Sequence, residues 1–270
     1  MPGQAQPETL PAGGNGAALA APPPVLSAQE WAVFLDIDGT LIEFADDPRP
    51  LPADRGLQLL LRRLASRTAG ALALISGRDI GSIDVIVRPL SLPAAGLHGF
   101  ERRSATGALS RRPPPEAPVL ERARERLRAT AAQDARLVFE DKGFALAVHY
   151  RRAPELAAQI QRAARDIAHQ SGGALELRPG TLVAELAPPG ASKAAALAEF
   201  MREWPFAGRQ PLFVGDDLTD EPAFEWVNGV GGLSVAVNVS RATAARTQLP
   251  SVSSVRHWLQ ALFDSGGSRP

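Results

Sequence analysis

Five consecutive apolar residues, Trp31-Ala32-Val33-Phe34-Leu35, run without a polar break and stop at Asp36. A run of this length predicts a parallel strand buried on both faces. Between Leu51 and Thr68 the rhythm changes. Leu57, Leu60, Leu61 and Leu64 recur at helical spacing among arginines, which predicts an amphipathic helix. Ala71 to Ile75 returns to the buried-strand pattern and ends at Ser76-Gly77-Arg78. A helix is predicted near Ile80 to Val87, and a third strand from Ala94 to Leu97. Much later, Leu212-Phe213-Val214 is another apolar strand, ending in Gly215-Asp216-Asp217, and Ser234 to Val237 reads as one more. Strands alternating with helices predict an α/β fold with a doubly wound parallel-sheet (Rossmann-like) core.

The middle of the chain follows a different pattern. Arg111-Arg112-Pro113-Pro114-Pro115 breaks the alternation, as a proline run does at a boundary. Beyond it we predict a helix from Ala117 to Gln133, then a strand pair within Leu137 to Tyr150. A helix from Pro154 to Gln170 and strands near Ala174 to Arg178 and Thr181 to Leu186 follow. This helix-strand-strand repeat predicts an inserted α+β cap domain with a largely antiparallel sheet. Its expected span is 110–187, between core segments 28–109 and 188–264. Residues 1–27 are rich in Ala, Pro and Gly. They predict a disordered tail, since too few apolar side chains are present to offset the entropy of ordering.

Composition narrows the chemistry. Among 270 residues, Lys plus Arg and Asp plus Glu number 29 each, so net charge offers no attraction to nucleic acid or to an anionic membrane. The chain has no cysteine, which excludes disulfides, thiolate metal sites and a cysteine nucleophile. Its four histidines lack ligand spacing, so a zinc enzyme is not expected. No apolar stretch approaches the roughly 20 residues of a membrane span, and the N-terminus does not read as a secretory signal. The expectation is a soluble cytoplasmic protein, a monomer by default, and a compact anionic substrate stays open because a few local cations suffice to bind one.

The polar residues gather where the predicted core strands end, which is where open α/β sheets bind ligands. Asp36 and Asp38, two residues apart, project toward one side of a strand end. Asp216 and Asp217, at a second strand end, bring up to four carboxylates together. Capping a helix takes one acid at its start, not a pair after each of two apolar strands. Left uncompensated, such a cluster is strongly unfavourable, and oxygen-only ligands suit Mg²⁺. A carboxylate can also attack phosphorus, forming an aspartyl phosphate that water later breaks. That reaction needs positive charge near the phosphoryl oxygens, a donor to orient them and an acid for the leaving oxygen. Asp216 with Mg²⁺, Lys193, Ser76 and Asp38 offer each of these.

In Asp36-Ile37-Asp38-Gly39-Thr40, Ser76, Lys193 and Gly215-Asp216-Asp217 through Asp220, the chain resembles the haloacid dehalogenase superfamily of phosphotransferases. The resemblance implies Asp36 as nucleophile and Asp38 as general acid/base, with Ser76 and Lys193 on the phosphoryl group. It implies that Asp36, the backbone carbonyl of Asp38, and Asp216 hold Mg²⁺, supported by Asp217 and Asp220. A narrower resemblance rests on Gly96-Leu97-His98-Gly99-Phe100-Glu101, Glu140-Asp141-Lys142-Gly143-Phe144, Val148-His149-Tyr150-Arg151, and Glu185 ahead of Pro188-Pro189-Gly190-Ala191-Ser192-Lys193. These are similar to motifs of trehalose-6-phosphate phosphatases, from about Trp31 to Leu262. Ala194 stands where a glycine is more typical, and the tail has no counterpart.

That resemblance implies a sugar phosphate as substrate. Glu140, Lys142 and Glu185 would bind its hydroxyls from a cap whose closure excludes water. As residues alone, Glu140 and Lys142 read equally well as a solvated cross-strand pair. Arg78, a candidate substrate ligand, either touches phosphate or pairs with an acid, and His98 reads either as a catalytic group or as a histidine that satisfies local hydrogen bonds. Sucrose 6-phosphate, a mannosyl phosphoglycerate and a hexose phosphate are the alternative substrates. A phosphosugar sensor without turnover is the alternative class.

Overall fold

The computed structural model describes residues 19–22, 27–43 and 54–262. Most of the predicted tail, and residues 51–53 of the first predicted helix, lie outside the described residues. The chain opens with β1 (Trp31–Leu35), α1 (Arg55–Arg67), β2 (Leu72–Ile75), α2 (Ile80–Val87) and β3 (Ala94–Gly96). A hairpin of β4 (Glu101–Arg103) and β5 (Leu109–Arg111) follows. Next come α3 (Ala117–Ala131), β6 (Val138–Asp141), β7 (Leu146–His149), α4 (Ala157–Gln170), β8 (Glu176–Gly180) and β9 (Val183–Ala187). The chain returns through α5 (Lys193–Phe200), β10 (Gln210–Gly215), α6 (Glu221–Gly229), β11 (Leu233–Val237), β12 (Thr247–Leu249) and α7 (Val252–Ala261).

Two sheets result. The larger is 8-stranded in the order β12-β11-β10-β1-β2-β3-β4-β5. It is parallel from β12 to β3 and antiparallel at the β4–β5 edge. Because strand side chains alternate between faces, Val33 and Leu35 point to one side while Ala32 and Phe34 point to the other. Val33 and Leu35 join the leucines and isoleucines of α1, α2 and α7 in one core cluster. Phe34 joins Phe213, Phe200 of α5 and Phe224 of α6 in a second. Both faces of the sheet are therefore covered, which is why its strands read as continuous apolar runs. Asp54 starts α1 by accepting the Leu57 amide at 3.1 Å, satisfying a donor that the helix itself leaves open.

The second sheet is 4-stranded and antiparallel, in the order β6-β7-β9-β8. Leu146, Val148, Ala184 and Leu186 face α3 and α4 and form a separate core with Leu120, Leu127, Ile160 and Ile167. The other face carries the alternate residues. A small cluster of Leu97, Phe100, Phe144, Ala145, Ala187 and Ala191 lies where the two sheets approach, and Phe100 stacks on Phe144. The doubly wound core and the α+β insertion agree with expectation. The apolar rhythm does not announce the β4–β5 hairpin, β12 or α7.

After β1 the chain builds β2 and β3 on one side, whereas β10 to β12 lie on the other. The order reverses between β1 and β10, so a crevice opens at the carboxyl ends of these two strands.

Candidate active site

Asp36 follows the last residue of β1 in this crevice, and its amide donates to the Val214 carbonyl of β10 at 3.0 Å. The chain then turns tightly. The Leu41 amide returns to the Ile37 carbonyl at 2.8 Å, and Gly39 takes φ +74°, a left-handed conformation that costs glycine little. Asp38 is thereby set beside the crevice, one turn from Asp36.

Lys193 is the first residue of α5, whose preceding Ser192 accepts the Ala195 amide at 3.0 Å. The Lys193 Nζ donates to Asp36 Oδ1 at 2.7 Å and to Asp220 Oδ1 at 2.6 Å, and all three side chains are buried. Asp220 Oδ2 accepts the amides of Asp216 and Asp217, each at 3.0 Å. This packing needs Gly215: a Cβ there would lie 2.5 Å from Asp220 Cγ. Thr40 Oγ1 donates to Asp216 Oδ1 at 3.4 Å.

The electrostatics show how crowded the acids are. Burial pushes Asp36 up to about 7 despite the opposing pull of Lys193. Burial, reinforced by Asp36 and Asp220, pushes Asp216 up to about 9. Lys193 goes the other way: burial alone would lower it, but Asp220 and Asp36 hold it well above an ordinary lysine.

Oxygens of Asp36, Asp216 and Asp220 all lie within 4.8 Å of one another. Three carboxylates against one ammonium leave two negative charges uncompensated when all are ionised. An oxygen-only donor set with that imbalance fits a hard divalent cation. Asp220 already has both oxygens engaged, so Asp36 and Asp216 are the carboxylates with capacity to spare.

Ser76 follows β2 and is buried. Its Oγ accepts the Arg78 amide at 3.1 Å, which leaves the hydroxyl hydrogen available to a ligand. Arg78 grips Asp38 with both donors of one edge, Nε to Oδ2 at 2.7 Å and Nη2 to Oδ1 at 2.6 Å. Of the two readings of Arg78, the structure shows the pairing with an acid.

The open face of the second sheet brings charged side chains toward these strand ends. Lys142 Nζ meets Glu185 Oε2 at 2.5 Å. The opposite carboxylate oxygen of Glu185 is 3.9 Å from His98 Nε2, just past β3. Burial would raise Glu185, but Lys142 and His98 outweigh it and hold the group down at about 2. Burial lowers His98 to about 4 although Glu185 pulls the other way, so the imidazole is neutral near pH 7. Glu140 lies apart from this pair and bonds His149 at 2.8 Å. The structure thus joins Lys142 to Glu185 rather than to Glu140.

Thr181 and Arg178 escape sequence reasoning. Thr181, in the β8–β9 turn, donates to Asp217 Oδ1, and Thr219 donates to the other Asp217 oxygen at 3.3 Å. Arg178 stands directly opposite Glu185 in the β8–β9 ladder. Its position was readable only from the hairpin register, which the sequence leaves open by a residue or two.

A doubly wound sheet with paired acids at its switch point, a buried lysine on the first acid and a second α+β layer define a capped phosphotransferase of the haloacid dehalogenase type. Comparison with known proteins narrows this. The trehalose-phosphatase family model matches residues 34–253. A trehalose-6-phosphate phosphatase of Escherichia coli is 40% identical over 239 residues, covering 88% of each chain. A probable trehalose-phosphate phosphatase of Sinorhizobium fredii is 37% identical over 233 residues, 86% of this chain and 87% of that one. In fold, the C-terminal domain of Candida albicans trehalose-6-phosphate phosphatase superposes with a TM-score of 0.77 at 21% identity, covering 91% of this chain and 98% of that one. The chain belongs to the trehalose-phosphatase family, whose members are phosphoric monoester hydrolases. Among the described residues no helix is long and apolar enough to cross a membrane.

Proposed function

We propose that the protein hydrolyses trehalose 6-phosphate to trehalose and phosphate through an aspartyl phosphate on Asp36, with Mg²⁺ as cofactor. The observation that carries the chemistry is the buried Lys193–Asp36 pair beside Asp216 at the sheet's switch point. The sugar is carried by the names of the relatives and by the charged open face of the second sheet. In this reading residues 110–187 act as the cap and 28–109 with 188–264 as the core. The 29-to-29 charge balance suits a small sugar phosphate rather than nucleic acid. A cytoplasmic setting goes with it.

Asp36 Oδ2 attacks phosphorus while Lys193 holds Oδ1 and keeps the carboxylate aimed. The bond from phosphorus to the sugar oxygen breaks, and Asp38 protonates that oxygen. Water then attacks phosphorus, Asp38 takes the proton released, and the bond from Asp36 to phosphorus breaks. Phosphate leaves and the Asp36 carboxylate is restored. An acid must carry a proton before it can give one, so Arg78 has to release Asp38 first. A phosphoryl oxygen is the natural competitor for that guanidinium. Ser76 donates to a second phosphoryl oxygen, and Asp217 and Asp220 steady the loop and Lys193. Asp36, Asp216 and the Asp38 carbonyl would hold the cation, which when bound offsets charge on the phosphoryl oxygens.

Phosphate release tests this reading, measured on trehalose 6-phosphate, sucrose 6-phosphate and glucose 6-phosphate with and without Mg²⁺. The expected outcome is metal-dependent release with strong preference for the trehalose ester. Preference for another ester would discard the substrate and keep the nucleophile. Release from none of them would favour the sensor or an ester outside this panel.

A further inference from the structure

A line of side chains crosses the open face of the second sheet. Glu140 on β6 pairs with Ala147 on β7, Ala147 with Glu185 on β9, and Glu185 with Arg178 on β8. Residues paired in register project to the same side, so the row reads acid, small residue, acid, cation. Sequence reasoning placed Glu140 and Glu185 in substrate binding and left Arg178 out.

The Arg178 guanidinium is fixed on two edges. Its Nη2 donates to the Pro188 carbonyl at 2.7 Å, and both Nε and Nη2 reach Glu176 Oε1 at 3.3 Å. Its Nη1 is buried and has no hydrogen-bond partner among the described residues. Glu185, the acid directly across the ladder, is taken by Lys142. A buried donor left unpaired costs free energy and calls for a reason. A planar guanidinium anchored on two edges presents its remaining donor in a set direction, with little entropy left to lose on binding. Its charge is felt at Glu185, Lys142 and His98, so it belongs to the same wall of the site.

We propose that Arg178 is a specificity-determining residue, whose Nη1 donates to a hydroxyl of the substrate's sugar beside Glu185. The inference rests on the reading of the enzyme as a sugar phosphatase. A hydroxyl rather than the phosphoryl group is the acceptor. Lys193 and Ser76 serve the phosphoryl oxygens at the core strand ends, whereas Arg178 stands across from them on the second sheet.

Steady-state kinetics of wild type, Arg178→Gln and Arg178→Lys, on trehalose 6-phosphate and on sugarless p-nitrophenyl phosphate, test it. Loss of a charged donor to the sugar should raise KM for the sugar ester roughly tenfold or more in Arg178→Gln. The kcat on that ester should change far less, and the loss should be confined to the sugar ester. Lysine keeps the charge without the forked geometry and should recover only part of the KM. An unchanged KM for the sugar ester would remove the contact. An equal loss on both esters would make Arg178 a structural strap for the Pro188 segment, and either result overturns the assignment. The wild-type data judge the underlying reading separately: if no sugar ester is preferred over p-nitrophenyl phosphate, that reading fails and the inference falls with it.

Discussion

At the scale of single residues, the site is a set of acids held closer than water would allow. Asp36 and Asp216 are both driven up, chiefly by burial, and Lys193 alone does not balance them. Asp36→Asn keeps the shape and the Lys193 contact but cannot attack phosphorus. We expect kcat to fall by about 10³-fold or more, with circular dichroism unchanged, and full turnover in this variant would remove Asp36 as nucleophile. The crowding also has a pH signature. The folded Asp216 carboxyl titrates at about 9, against an ordinary value of 3.8. A raised carboxyl binds more protons folded than unfolded, so stability falls as pH rises from 3.8 toward about 9. Thermal melts in chelator should therefore show a declining midpoint from pH 7 to 9 that flattens in Asp216→Asn. At pH 7 in chelator the variant should melt above wild type, and added Mg²⁺ should stabilise wild type much more than the variant. A variant that melts below wild type without metal contradicts the crowding argument.

At the scale of elements, the second sheet carries a nearly buried ion pair, with side chains 14% exposed for Lys142 and 8% for Glu185. Removing one partner strands the other. Lys142→Met should cost about 3 kcal/mol in urea unfolding, and Glu185→Leu added to it should recover most of that loss. Loss below about 1 kcal/mol in the single variant would place the pair in solvent instead. The same elements show what a sequence can reveal. β1, β2 and β10 were legible because strands buried on both faces leave unbroken apolar runs, and their acids were legible because they end those runs. β4 was not, since Glu101-Arg102-Arg103 is charged. It is buried through specific pairing: Glu101 accepts the Ile80 amide at 2.5 Å, and Arg103 grips Asp84 at 2.6 Å. Such partners are remote in sequence and leave no periodic trace. Arg178 was hidden for a related reason: sliding the β8–β9 register by one residue would turn it to the helix-covered face.

At the scale of the whole molecule, the two sheets meet across the acids at a few named contacts. Phe100 stacks on Phe144, Glu185 approaches His98, and Thr181 donates to Asp217. The last joins the β8–β9 turn to the loop that carries Asp216. If the cap closes on its substrate as enzyme lids do, Thr181→Val should weaken the closed arrangement. It should raise KM for trehalose 6-phosphate a few-fold with kcat within about twofold. No change in either would make the contact incidental. The proposed chemistry is phosphoryl transfer to Asp36, and the stereochemical course at phosphorus tests that most directly. A trehalose 6-phosphorothioate made chiral with one oxygen isotope, hydrolysed in water enriched in another, yields a product whose handedness can be read. Two successive in-line displacements, first by Asp36 and then by water, predict net retention of configuration. Net inversion would mean that water attacks the substrate directly, and would contradict the aspartyl phosphate.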